Sequence, residues 1–137
     1  MSLEIPARPS YVGIARMAVG ALAGLRSGFS YERVDDLRIV TSEACTSAIE
    51  ALAERPTDGP EPRLRLRCTH DPDGLTITFS GPPGTFEGWK GGGPESDLRV
   101  SLMSALVDGV FPGDDGSELR LVMLRRDDEE YDEDPEP

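Results

Sequence analysis

The sequence predicts an α+β fold, a two-layer sandwich in which a mixed, mainly antiparallel sheet carries about three helices on one face. Three observations predict it. Asp35 to Glu54 is a long amphipathic stretch, with Leu37, Ile39, Val40, Ala44, Ala48, Ile49 and Leu52 at helical spacing and no Gly or Pro before Pro56. Arg63 to Thr69 alternates strictly, with Leu64, Leu66 and Cys68 inward and Arg63, Arg65 and Arg67 outward, and it is followed at once by a turn and a second alternating run. The element order is strand, two helices, hairpin, helix, strand, which places helices on one side of a single sheet.

In chain order, Ser2 to Ala7 reads as a first strand with Leu3 and Ile5 on one face, ended by Pro6 or Pro9. Ser10 then caps a helix to about Ser27, whose expected apolar stripe is Val12, Ala15, Met17, Val19, Leu22 and Leu25. Gly13, Gly20 and Gly24 lie inside it, each costing about 1 kcal/mol of helix propensity relative to Ala, a cost that close packing on a neighbour offsets. Gly28 is a natural helix stop. Ser30 is the expected N-cap of the central helix, with Glu32, Asp35 and Asp36 in its first turns, where acids suit the helix dipole.

After a loop containing Thr57-Asp58-Gly59-Pro60, the hairpin turns at Asp71-Pro72-Asp73-Gly74, and Leu75, Ile77 and Phe79 face inward on its second strand. Gly81 to Pro94 holds six glycines, three prolines and the only tryptophan, Trp89. It reads as a loop, or as a lid over a pocket with Phe86 and Trp89 as walls, and it contains no phosphate-binding glycine fingerprint. Ser96 or Asp97 is the expected cap of a third helix to about Val110, with Leu98, Leu102, Met103, Leu106 and Val110 as its buried stripe. Ser117 to Arg125 is the last strand, with Leu119, Leu121 and Met123 on one face.

Composition narrows the function classes. The 137 residues suit one domain, assigned here to residues 1–126, and no apolar run approaches the roughly 20 residues of a membrane span. The N-terminus lacks a signal-peptide design, and Cys45 and Cys68 sit at expected core positions, so a cytoplasmic protein is expected. Asp127 to Pro137 carries eight of the 26 acidic residues and no base, leaving 18 acidic against 14 basic residues and a body of −4 within a net −12. That segment reads as an acidic disordered tail. It disfavours direct nucleic-acid binding and suits either plain solvation or a basic partner.

On the central helix, Glu43 and Ser47 lie four residues apart and share a face with Ser42, Thr46 and Glu50 nearby. A solvated face and a ligand-binding face both explain such a polar cluster. The segment SEACTSAIEA, preceded by SGFSYERVDDLRIV, resembles the nucleotide-binding helix of the anti-sigma-factor serine kinases (RsbW and SpoIIAB type), members of the histidine-kinase-like (GHKL) ATPase superfamily. The order of elements agrees over about residues 3–126. The resemblance implies a glutamate acting as base and, one turn on, an asparagine holding Mg²⁺ on the phosphates. Glu43 matches the glutamate, whereas Ser47 stands at the asparagine and metal position and Glu50 at a usually basic or histidine position. In the second motif Ser80 replaces the aspartate that accepts the adenine amino group, with Gly81 and Gly84 roughly keeping the glycine places. In the third, counted back from Leu106-Val107-Asp108, Asp97 and Arg99 replace two glycines.

Three ligand positions thus change together, and added acid opposes a polyphosphate. The resemblance therefore implies a regulatory protein of the anti-sigma type that acts by binding proteins. Its partners would be a sigma factor, an anti-anti-sigma (STAS) protein or a related kinase, with a homodimer open by analogy, and it would need no cofactor. The alternative is an active Mg-ATP-dependent serine kinase acting on a STAS protein, with Glu43 as base and Ser47 on the metal. A third reading keeps the pocket for another small ligand.

Overall fold

The computed structural model describes residues 1–26, 28–55, 59–126 and 129. Five strands, β1 (Ser2–Pro6), β2 (Arg63–Asp71), β3 (Gly74–Ser80), β4 (Gly109–Pro112) and β5 (Glu118–Leu124), form one sheet in the order β1-β2-β3-β5-β4. Every neighbouring pair is antiparallel, where the sequence left room for a parallel one. Helices α1 (Val12–Ala21), α2 (Tyr31–Ala53) and α3 (Pro94–Ser104) complete an α+β architecture. The central helix starts four residues earlier than Asp35. Ser30 is its N-cap by place, but its hydroxyl makes no cap bond, and its amide instead donates to Glu129 Oε2 at 2.8 Å.

The core lies between sheet and helices. Leu64, Leu66 and Cys68 of β2, Leu75, Ile77 and Phe79 of β3, and Leu119, Leu121 and Met123 of β5 are all buried, as their alternation demands. From α2 they meet Leu37, Val40, Ala44, Cys45, Ala48 and Leu52. Ile39, counted in the apolar pattern of α2, is 52% exposed.

On α1 the buried residues are Ala15, Val19 and Gly20, with Ala23 just beyond, whereas Met17 and Leu25 are 73% and 77% exposed. A turn of 100° per residue puts Met17 about 200° from Ala15, on the far side of the helix. The small Ala15 and Ala23, with Val19 between them, let α1 lie close to α2. A Cβ on Gly20 would sit 2.5 Å from Arg38 Nε, so the glycine there serves the close approach. Beyond Ala21 the chain widens into a π-helical turn over Leu22–Arg26, and Gly28 takes φ 70°, the left-handed conformation of a helix stop.

The third helix departs most from expectation. Its N-cap is Gly93, not Ser96 or Asp97, and it ends at Ser104. Leu98 and Leu102 are 61% and 56% exposed, while Val100, Met103 and Val107 face the core. Val110, expected at its end, belongs to β4, an edge strand the sequence reading did not contain. The Asp108 amide donates to Val122 O at 2.9 Å, and its carboxylate accepts from the Leu124 amide at 2.6 Å, turning the chain into that strand.

Residues 81–94 are not an open loop. Thr85, Phe86 and Trp89 are 3%, 0% and 2% exposed, and Glu87–Trp89 form a 3₁₀ turn. The Phe86 amide donates to Gly116 O at 2.7 Å and the Gly84 amide to Asp115 O at 3.1 Å, tying the segment to the β4–β5 turn. Of the acidic tail, Glu129 is described; residues 127, 128 and 130–137 lie outside the described residues.

Candidate functional site

The polar face of α2 opens into a cleft of about 520 Å³ lined by Arg16 of α1, by Asp35, Arg38, Ile39, Ser42, Glu43 and Thr46 of α2, and by Met103 of α3. The length of α2 creates the site. Glu43 and Ser47 stand one turn apart on the same side because neither Gly nor Pro breaks the ladder between Tyr31 and Ala53. The Glu43 side chain is 44% exposed. Arg16 donates to Ser42 Oγ at 3.3 Å, and Arg38 pairs with Asp35 at 3.1 Å.

Ser47 is enclosed. Its hydroxyl donates to Ala44 O at 3.1 Å, the turn-back bond of a helical serine, and accepts from the indole Nε1 of Trp89 at 3.0 Å. Arg99, projecting from α3, places its guanidinium carbon 5.4 Å from the Trp89 ring centroid and its Nε 3.8 Å from Glu43 Oε1. Its other nitrogen reaches Gly88 O at 3.5 Å. Glu43, Arg99, Trp89 and Ser47 therefore form one connected chain of side chains between α2, α3 and the segment after β3. The cation over an indole face and the bond from a buried N–H are both favourable contacts.

The four remaining expected site residues, Ser80, Gly81, Gly84 and Asp97, join no part of this cluster. Asp97 lies two residues from Arg99, on the other side of α3, and its Oδ1 accepts from the Gly92 amide at 3.1 Å. Ser80 follows the buried Phe79 on β3, so it turns to the helix-free face of the sheet, beside Glu4, Arg63 and Arg65. Gly81 lies with it, and a Cβ there would meet Thr85 Oγ1 at 2.9 Å. Gly84, at φ 85°, sits beside Arg55 at the C-terminal end of α2; the Arg55 guanidinium donates to Pro83 O at 2.7 Å. The two glycines thus shape the backbone of the segment that carries Trp89. Among the described residues no group of three or more His, Cys, Asp or Glu could hold a metal ion.

Sequence reasoning missed the part Trp89 plays, because glycines on both sides suggested mobility. The usable signal was the pair Phe86 and Trp89, three residues apart on one face of a turn, whose large apolar surfaces favour burial.

Residues 5–123 match the histidine kinase-like ATPase domain. The chain belongs to this family. Within it, 124 residues are 37% identical to serine-protein kinase RsbW of Bacillus pumilus, covering 90% of this chain and 74% of that protein. The same identity and share of this chain hold for serine-protein kinase RsbW of Bacillus subtilis, of which 73% is covered. Serine-protein kinase RsbW of Listeria monocytogenes is 39% identical over 59 residues, 43% of this chain and 37% of the relative. The RsbW-type resemblance drawn from the α2 motif is thereby established over nearly the whole chain. No helix among the described residues is long and apolar enough to cross a membrane.

Proposed function

We propose that this RsbW-type chain acts in the cytoplasm as an anti-sigma regulator through protein–protein binding, with the family's metal position at Ser47 engaged by its own side chains. One observation carries the reading. The residue standing where the family places its metal-holding asparagine, Ser47, has its proton committed to Ala44 and a lone pair to the Trp89 indole, with Arg99 lying over that ring and reaching Glu43. Mg-ATP held in the family's manner does not fit these residues. A serine hydroxyl is shorter than an asparagine amide and already engaged, Asp97 and Arg99 stand where the family has glycines, and Ser80 faces away from the cleft. The partners are a sigma factor, a STAS-type anti-anti-sigma protein or a related kinase.

The test is thermal unfolding with millimolar Mg-ATP or Mg-ADP, paired with affinity purification of the full chain from its own cells. A ligand at about 100 times its Kd stabilises by about 2.7 kcal/mol, a shift of several degrees in a domain this size. The proposal expects no shift and enrichment of one of the three partner classes. A clear shift, or a purification enriching none of them, overturns it.

The carboxylate of Glu43, half-exposed in an open cleft of a protein similar to named serine kinases, favours one other reading. In it Glu43 is the base of an active serine kinase. That reading requires phosphate transfer from labelled ATP to a STAS protein that disappears in Glu43→Ala.

A further inference from the structure

The helix-free face of the sheet carries one row of side chains that crosses four strands in register. Arg67 of β2 stands opposite Thr78 of β3, Thr78 opposite Arg120 of β5, and Arg120 opposite Phe111 of β4. The residues flanking this row along β2, β3 and β5 are buried, so the row itself points away from the core, and both arginines are exposed. Two strand spacings set Arg67 and Arg120 about 10 Å apart, with the short Thr78 between them. Among the described residues Arg67 makes no hydrogen bond or ion pair, and the Arg120 guanidinium does no more than lie 5.0 Å over the Phe111 ring.

The neighbouring row differs. Arg65 stands between Glu4 of β1 and Ser80 of β3, and Glu118 of β5 lies beyond Ser80. Glu4 accepts from Arg63 at 2.8 Å and from Arg65 at 3.2 Å, and those hydrogen bonds hold it below the usual carboxylate range. The face therefore sets four guanidiniums, those of Arg63, Arg65, Arg67 and Arg120, against the carboxylates of Glu4 and Glu118, in a chain of net charge −12. Two of the four have no carboxylate of their own.

The guanidinium fork matches a carboxylate, and the charge pattern selects among anions. A long polyanion, such as a nucleic acid or an anionic membrane, extends past the Arg67–Arg120 row over Glu118 and towards the other acids of the chain, where like charges repel. A second copy of this chain centred on Thr78 sets guanidinium against guanidinium. A compact acidic patch on another protein meets neither obstacle. Arg120 rests on Phe111 before any partner arrives, so less side-chain freedom is lost on binding. Phe111 and Leu124, 48% and 51% exposed, add apolar area beside the charges.

We propose that the outer face of the sheet docks a partner protein through a compact acidic patch, whose carboxylates, about 10 Å apart, pair with Arg67 and Arg120 over Thr78. This surface lies across the sheet from Glu43 and Ser47. It goes beyond the anti-sigma reading and does not depend on the state of the nucleotide cleft.

The probe is a peptide of repeated Glu-Ala-Ala, which when extended sets carboxylates about 10 Å apart. It is titrated into the isotope-labelled full chain at about 20 mM and about 500 mM salt, the latter shortening the screening length to a few ångströms. Saturable shifts are expected at the amides of residues 65–69, 76–80 and 118–122, in the low millimolar range or tighter, and they should fade at high salt. A Gln-Ala-Ala peptide should give none. The variant Arg67→Ser/Arg120→Ser, which leaves the core untouched, should weaken binding at least about tenfold, because it removes two charge-assisted pairs. The variant Arg8→Ser/Lys90→Ser makes the same change in net charge at other exposed positions and should bind as the natural chain does. The proposal is overturned if the acidic peptide shifts no signal on this face, if the glutamine peptide acts equally, or if the two variants behave alike. Tighter binding of this face to a thymidine oligonucleotide or to phosphatidylserine vesicles also overturns it and assigns the row to phosphate polyanions.

Discussion

Replacing Trp89 tests whether the segment after β3 is part of the core or a gate. The side chain is 2% exposed, and its indole nitrogen lies 3.0 Å from Ser47 Oγ. Truncating a buried aromatic to alanine costs about 3–5 kcal/mol, against a total stability of about 5–15 kcal/mol for a domain. Trp89→Ala should therefore lower Tm by on the order of 10–20 °C, at a few degrees per kcal/mol. Trp89→Phe keeps most of the apolar body and removes the donor, so its cost should be about 1–2 kcal/mol. A double-mutant cycle with Ser47→Ala isolates the indole–hydroxyl pair, and its coupling should be about 0.5–1.5 kcal/mol. The assay is urea unfolding followed by far-ultraviolet circular dichroism, because the variants remove the chain's single tryptophan. A tryptophan on an open lid would cost less than about 0.5 kcal/mol, as surface changes do. A loss under about 1 kcal/mol for Trp89→Ala, or zero coupling to Ser47, refutes the packed Trp89–Ser47 contact.

Three further outcomes follow from the same geometry. Restoring the family's small and amide residues with Ser47→Asn/Asp97→Gly/Arg99→Gly should produce an Mg-ATP thermal shift that the natural chain lacks; equal behaviour of the two proteins argues against these positions as the block. Burial raises the Glu129 pKa, but the Ser30 and Arg126 amides and Arg33 outweigh it and hold the group below its ordinary 4.5. Its stabilisation is therefore present above about pH 4.5 and is lost as pH falls through the lower folded value. Glu129→Gln should cost about 1–3 kcal/mol at pH 7 and flatten the acid limb of the stability curve, read from urea midpoints between pH 3 and 7. Burial pushes the thiols of Cys45 and Cys68 up to about 12 and about 11, so both should resist iodoacetamide at pH 8 until the chain unfolds, as peptide mass spectrometry would record.

Much of this fold was legible because burial imposes a period. The strands β2, β3 and β5 were readable residue by residue, since each has one wet and one dry face and a slip by one would invert them. Helix α2 was readable because 23 residues carry the pattern without a breaker. The shorter helices were not. Of the expected stripe, Leu98 and Leu102 stay exposed while Met103 is buried, and the core also takes Val100 and, beyond the helix end, Val107. Four-residue β4 was hidden by Phe111-Pro112-Gly113, a stop signal that an edge strand tolerates because it needs only one ladder of hydrogen bonds. At the site, the pairing of Glu43 with Ser47 on one face followed from spacing alone. Local sequence carries no trace that Trp89 reaches across 42 positions to Ser47, because that contact exists only after the sheet has brought β3 beneath α2.

The contact between Trp89 and Ser47 also supplies a built-in optical gauge. A chain with one tryptophan reports one environment, and here that environment is the buried junction of α2, α3 and the segment after β3. With the indole dry and hydrogen-bonded, emission is blue-shifted; prying α3 from α2 would wet the ring and move emission to the red. A partner, nucleotide or solvent condition that opens the cleft thus announces itself without any label. Steady emission during binding would place the encounter elsewhere on the surface.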